Sequence, residues 1–269
     1  MTDQYCVIGN PVAHSKSPQI HAAFAVQTGQ GIAYGRRLAP LDGFADVVRD
    51  LVAKGYKGAN VTVPFKLEAA ALATRLEERA RAAGAVNTLS FVDGKIVGDN
   101  TDGPGLVADI VRNAGVPLAG KRILLLGAGG AARGVMLPFL QQGPAAIVVA
   151  NRTLATAEAL VEAFQDQVTQ VGACGFDGIR GAFDIVVNAT SASLSQALPP
   201  VPASAFTKDT LALDMMYGDG PTPFMQFAAR QGATTRDGFG MLVEQAAEAF
   251  AIWRGVRPIT HDLLTTLRS

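Results

Sequence analysis

Short apolar runs alternate with stretches of helical periodicity along most of the chain, the pattern of an α/β protein. Residues 5–9, 34–38 and 59–63 read as strands, and helices are expected after Ser17-Pro18, over 44–54 and over 66–83. From 87 to 98 the period drops to two, in two alternating runs separated by Asp93-Gly94. Both turn residues tolerate positive φ, so a hairpin is expected there. A second series of βα units opens at Lys121, with strands at 123–126, 146–150, near 168–172, at 184–188 and at 210–214. Helices fall at 131–142 and 154–164, and two closing helices, 240–254 and 261–267, have no strand after them. The stretch 191–204, rich in Ser and Pro, reads as a loop. Gly103-Pro104-Gly105 and Asp237-Gly238 punctuate the pattern. The chain is therefore expected to build one domain (1–103 and 238–269), insert a second (104–237), and return to finish the first.

The composition fits two such domains. The 269 residues are 49% hydrophobic and 17% charged, with 23 basic against 23 acidic side chains. A neutral balance gives no long-range pull toward nucleic acid or an anionic membrane surface. No run approaches the roughly 20 apolar residues of a membrane span. The apolar stretch 123–140 carries Arg133 and four glycines, so it reads as strand, turn and helix. The opening Met1-Thr2-Asp3-Gln4 lacks a basic-then-apolar leader, and Cys6 and Cys174 form no disulfide framework. A cytoplasmic protein is the expectation. His14, His21 and His261 have no metal-ligand spacing, so no metal is expected. His21 falls on a helix and reads as a packing or hydrogen-bonding residue.

Gly127-Ala128-Gly129-Gly130-Ala131-Ala132 follows a buried strand and opens a helix. This is the G-x-G-x-x-A dinucleotide pattern: the first Gly turns tightly, the second admits a pyrophosphate, and the small Ala132 lets helix pack on strand. The inserted domain is thus expected to be a Rossmann-type dinucleotide-binding domain, attached to an N-terminal α/β substrate domain. At the end of the next strand an NAD site usually carries an acid for the ribose 2′-OH. Here Asn151-Arg152-Thr153 stands instead, and a guanidinium suits a 2′-phosphate. NADP is the expected cofactor, with Arg152 as an ordinary solvated cation the alternative.

Polar residues gather where strands of the first domain end. Ser15 and Ser17 precede Pro18, which fits the first helical position with Ser17 as N-cap, and paired hydroxyls at a helix start suit a carboxylate. Asn60, Thr62 and Lys66 end a strand and begin a helix. The helix dipole there lowers an amine's pKa, and an Asp nearby raises it again. Asn87 enters the hairpin and Asp99-Asn100-Thr101-Asp102 leaves it. Taken singly, each of these residues also fits a turn. Met215-Met216, beside a strand, reads as core.

The motifs SKSPQIH, NVTVPFK, GAVNTL, GDNTDG, GAGGAA, NRT, NATS, DMMYGDGPTPF and DGFGMLVEQ, in this order over nearly the whole chain, resemble the shikimate dehydrogenase family. The resemblance implies two α/β domains and reversible reduction of 3-dehydroshikimate to shikimate with NADPH, in the biosynthesis of aromatic amino acids, by a monomer or homodimer. It implies that Ser15 and Ser17 hold the substrate carboxylate and that Thr62, Asn87, Asp102, Tyr217 and Gln245 hold the ring substituents. Asn60 shapes the pocket, and Lys66 with Asp102 forms the catalytic pair. Gly127, Ala128, Gly129, Gly130 and Ala131 cradle the pyrophosphate, and Asn151, Arg152 and Thr153 meet the adenosine phosphate. Met215 and Gly238 line the nicotinamide pocket, with Glu78 reaching the cofactor from the substrate domain. Two positions depart from the pattern. Thr156 stands where Arg or Lys is frequent, which weakens the NADP preference, and Ser193 stands where NATS is often followed by x-Gly. A quinate-active enzyme using NAD as well, or a non-catalytic NADP(H) sensor, are the competing expectations.

Overall fold

The computed structural model describes residues 2–165 and 169–267. It falls into two compact units, one made of residues 1–105 and 242–269 and the other of 106–241. No helix among the described residues is long and apolar enough to cross a membrane.

The first unit begins with β1 (Asp3–Gly9), α1 (Ser17–Thr28), β2 (Ile32–Leu38), α2 (Phe44–Ala53) and β3 (Gly58–Val61). Next come α3 (Lys66–Leu72), β4 (Arg75–Leu76), α4 (Glu78–Ala83), β5 (Thr88–Val92), β6 (Lys95–Asp99) and α5 (Asp102–Ala108). The sheet order is β2-β1-β3-β5-β6-β4. β1 runs parallel to both β2 and β3, whereas β5 is antiparallel to β3 and β6. The strand order reverses at β1, so the loops after β1 and β3 flank a crevice of the kind in which open α/β sheets bind ligands. Asp93 and Gly94, at φ 49° and 71°, make the expected hairpin turn.

The second unit holds β7 (Arg122–Leu126), α6 (Gly130–Leu140), β8 (Ala146–Ala150), α7 (Leu154–Glu162), β9 (Gln170–Cys174), β10 (Ile185–Asn188), β11 (Leu211–Asp214), α8 (Pro223–Arg230) and β12 (Thr234–Arg236). All six strands are parallel in the order β12-β11-β10-β7-β8-β9. This is the doubly wound Rossmann order, with its switch point between β7 and β10. β10 and β11 are buried throughout, as are residues 123–126 of β7, which is why they read as unbroken apolar runs. The chain then enters α9 (Phe239–Arg254) and closes with α10 (His261–Thr266).

Several expectations are corrected. The helix expected over 66–83 is broken by β4. Thr74 N donates to Ile96 O at 2.8 Å and Glu77 N to Gly98 O at 2.9 Å, so pairing with β6 outweighs helix propensity. Ser17 is not the N-cap. Lys16 holds that position without a side-chain cap, and Ser15 Oγ instead accepts from Ser17 N at 3.3 Å. The strand expected near 168–172 lies at Gln170–Cys174, and Val168 is outside the described residues. The unit boundaries fall inside α5 and α9 and not at the Gly-Pro-Gly and Asp-Gly signals, because Gly103, Pro104 and Gly105 are themselves helical. Met215 and Met216 are only half-buried, since they lie just past the end of β11.

Candidate active site

Cross-strand register places the polar residues of the first unit. Asn60 pairs with Thr88 across β3 and β5, and Thr88 pairs with Asp99 across β5 and β6. Where these strands end, Asn87 and the 100–102 turn meet at one end of the sheet. Phe65, stacked on Phe44 at 5.0 Å between centroids and fully buried, anchors the residue before Lys66.

Lys66, the first residue of α3, reaches Asp102, the first residue of α5: Nζ lies 2.5 Å from Oδ2. The Lys side chain is 31% exposed and that of the Asp 12%, so the carboxylate is the more sheltered partner. The other carboxylate oxygen, Oδ1, accepts from Asn87 Nδ2 at 2.8 Å. Asn87 Oδ1 in turn accepts from Thr101 N at 2.8 Å, and Asp102 N donates to Asn100 Oδ1 at 3.1 Å. Gln245 Oε1 lies 3.3 Å from both Asn87 Nδ2 and Thr101 Oγ1. Lys66, Asn87, Asp102 and Gln245 are therefore one hydrogen-bonded group.

Ser15 Oγ and Ser17 Oγ are 3.1 Å apart, with Ser17 buried. Thr62 is half-buried at the turn after β3, and its hydroxyl bonds to none of the described residues. Asn60 is buried with its amide already engaged, accepting from Tyr34 Oη at 2.7 Å and donating to Thr88 Oγ1 at 3.1 Å. Glu78 is exposed at the start of α4. Tyr217 belongs to the second unit, edge-on to Phe239 at 6.1 Å, and burial raises its phenol pKa.

Three contributors escaped sequence reasoning. Arg36 donates to Ser15 O at 2.6 Å, holding the serine loop. Tyr34 links Asn60 to the aromatic cluster under α1, where it stacks on His21 at 4.1 Å. The buried His21 imidazole is pushed down to about 3, burial outweighing the influence of Asn60. Arg79 grips Asp99 behind the group. These partners are distant in sequence, and no local pattern marks them.

In the second unit a cavity of about 590 Å³ opens at the switch point, lined by Gly127 to Ala131, Asn151 to Thr153 and the loop after β10. Gly127 has φ 102°, and a Cβ there would lie 3.2 Å from Thr190 Cγ2 and 3.3 Å from Ala189 O. Nothing stands within 4 Å of a Cβ placed on Gly129 or Gly130, which leaves room for a ligand at the start of α6. Buried Ala132 packs the helix as expected. Arg152 is exposed and hydrogen-bonds to none of the described residues, whereas Asn151 Nδ2 donates to Thr153 O at 2.9 Å. These residues fit a dinucleotide: helix N–H groups and open glycines for a pyrophosphate, a free guanidinium for a further phosphate. Thr156, Met215 and Gly238 do not line the cavity. Thr156 is exposed on α7, and Gly238 lies so close to Met215 that a Cβ would meet its carbonyl.

Family models match in chain order: a shikimate dehydrogenase substrate binding domain over residues 7–89, a shikimate / quinate 5-dehydrogenase over 109–197, and a shikimate 5′-dehydrogenase C-terminal domain over 238–260. A shikimate dehydrogenase (NADP(+)) of Janthinobacterium sp. (strain Marseille) is 62% identical, covering 99% of this chain and 97% of its own. An Ael1 enzyme from Pseudomonas putida superposes with a TM-score of 0.95 at 50% identity, over 99% of this chain and 98% of its own. The shikimate 5-dehydrogenase of Thermus thermophilus, in complex with NADP(H) and shikimate, gives 0.87 at 32% identity, over 98% of this chain and 97% of its own. Matched from end to end, the chain belongs to the shikimate dehydrogenase family.

Proposed function

We propose that the chain catalyses the reversible NADP-dependent interconversion of 3-dehydroshikimate and shikimate. The observation that carries this reading is the Lys66–Asp102 contact at 2.5 Å, with Asn87 on the second carboxylate oxygen. Bound NADPH supplies the hydride for the ring carbonyl. Lys66, as ammonium, gives a proton to the carbonyl oxygen as negative charge grows there. In the oxidising direction its neutral amine takes the hydroxyl proton. Asp102 orients the amine and accepts from a ring hydroxyl. Ser15 and Ser17 hold the carboxylate; Thr62, Asn87, Gln245 and Tyr217 hold the remaining ring groups, and Asn60 sets the back wall.

Gly127 to Ala131 would receive the pyrophosphate, and Asn151, Arg152 and Thr153 the adenosine end. Met215, Gly238 and Glu78 belong to the same proposal, at the nicotinamide end. Residues 1–105 with 242–269 serve as the substrate domain and 106–241 as the cofactor domain. The partner is a small molecule, not a nucleic acid.

Initial rates at the reduced-nicotinamide absorbance band, with shikimate or quinate each against NADP and NAD, test this. Shikimate with NADP is expected to be the fastest pair. Thr156, where a second cation is frequent, gives the NAD-tolerant reading its support; equal rates with NAD or quinate would establish it. Nucleotide binding without turnover of any pair would favour a sensor.

A further inference from the structure

Asp214, the last residue of β11, is fully buried, yet among the described residues every group that hydrogen-bonds its carboxylate is neutral. Oδ2 accepts from Ser193 Oγ at 2.6 Å, Thr222 Oγ1 at 2.7 Å and Asn188 Nδ2 at 3.1 Å, and Oδ1 accepts from Met216 N at 3.0 Å. Burying a carboxylate is costly unless it is hydrogen-bonded, and these four bonds meet that need. Two of these bonds converge on one segment. Asn188 Oδ1 also accepts from Thr190 N at 3.1 Å and Thr190 Oγ1 at 2.7 Å, so residues 188–193 are tied to the carboxylate at both ends. Between the ties, Thr190, Ser191 and Ala192 line the cavity at the switch point, and Thr190 packs over Gly127.

Ser193 gives the segment its downstream tie, through the shortest bond to Asp214. A Cβ on Gly127 would lie 3.2 Å from Thr190 Cγ2 and 3.3 Å from Ala189 O, so the segment runs close over the glycine turn at this wall of the cavity.

We propose that Ser193 and Asp214 are a positioning pair for the dinucleotide: the Ser193 hydroxyl holds the 189–193 segment in its binding shape before the nucleotide arrives. A segment already ordered loses less freedom on binding, so the pair acts on nucleotide affinity and not on the chemical step. The proposal rests on the reading of this cavity as the nucleotide site.

Ser193→Ala and Ser193→Gly test it, by fluorescence titration of NADPH and by steady-state rates. The Kd for NADPH is expected to rise about 5-fold in Ser193→Ala and about 10-fold in Ser193→Gly, with a parallel rise in its KM. At saturating nucleotide, kcat and the KM for shikimate should stay within about twofold of the parent values, a split that loss of folded enzyme does not produce. An unchanged Kd in both variants, with the parent chain binding NADPH, would overturn this pair alone. So would a fall in kcat with Kd unchanged, or a joint rise in both KM values. Absence of NADPH binding by the parent chain would overturn the nucleotide reading with it.

Discussion

Arg79 holds Asp99 through both carboxylate oxygens, Nε to Oδ1 at 2.7 Å and Nη2 to Oδ2 at 2.9 Å. Asp99 Oδ1 also accepts from Asn100 N at 2.7 Å, and Asn100 Oδ1 accepts from Asp102 N at 3.1 Å. The sheltered ion pair thus stands just behind Asp102 in the chain and fixes the turn that presents its carboxylate to Lys66. A further bond from Arg79 Nη1 to Glu248 Oε1 at 2.9 Å ties the turn to α9.

Removing the cation leaves Asp99 buried without its ion-pair partner, held only by the bond from Asn100 N among the described residues. Arg79→Ala is expected to cost about 3 kcal/mol of stability, the low end for breaking a buried pair because Arg79 retains 24% exposure. Urea unfolding measures it. Arg79→Lys, which keeps the charge but not the two-pronged grip, should lie between the two.

Gly127→Ala places a Cβ against Thr190 and Ala189 at a φ of 102°, which side chains rarely adopt. The Kd for NADPH, followed by fluorescence titration, is expected to rise at least about tenfold, equal to about 1.4 kcal/mol, consistent with the strain of a non-glycine residue there.

Arg152→Ala should discriminate between cofactors. With no intramolecular partner for the guanidinium among the described residues, its loss is expected to raise the KM for NADP about tenfold and leave the KM for NAD within about twofold, as for a charge-assisted bond to a phosphate. Parallel KM series with the two nucleotides check it.

His21 predicts a pH dependence of stability. Its folded pKa of about 3 lies below the unfolded value of 6.5, so the unfolded chain takes up the proton first and stability falls as pH drops from 6.5 toward 3. Between about pH 7 and pH 5 this single group should remove about 2 kcal/mol. In His21→Phe, which keeps an aromatic ring against Tyr34, the urea midpoint should fall less steeply over the same interval than in the parent chain.

What could be read from the sequence divides by the range of the interactions. The βα series, the Asp93-Gly94 hairpin and the glycine turn after β7 are local, written in periodicity and in residues that tolerate positive φ, and they appear where expected. β4 did not: residues 66–83 have good helix propensity, and only the ladder to β6, some twenty residues away, interrupts them. Ser17 looked like a cap because hydroxyls before Pro18 usually cap, yet Ser15 took the backbone contact from two residues upstream. At the site, the polar residues nearest strand ends were visible singly. Their grouping depended on the register that aligns Asn60, Thr88 and Asp99, and Arg36, Tyr34 and Arg79 entered only through tertiary contact.

The most direct measurement is the kcat of Lys66→Ala for 3-dehydroshikimate reduction at saturating NADPH, with nucleotide Kd measured alongside. A general acid contributes roughly 10²- to 10⁴-fold, so kcat should fall by that factor while the NADPH Kd stays within about twofold. A variant that turns over at the parent rate would contradict the assignment of the proton to this amine.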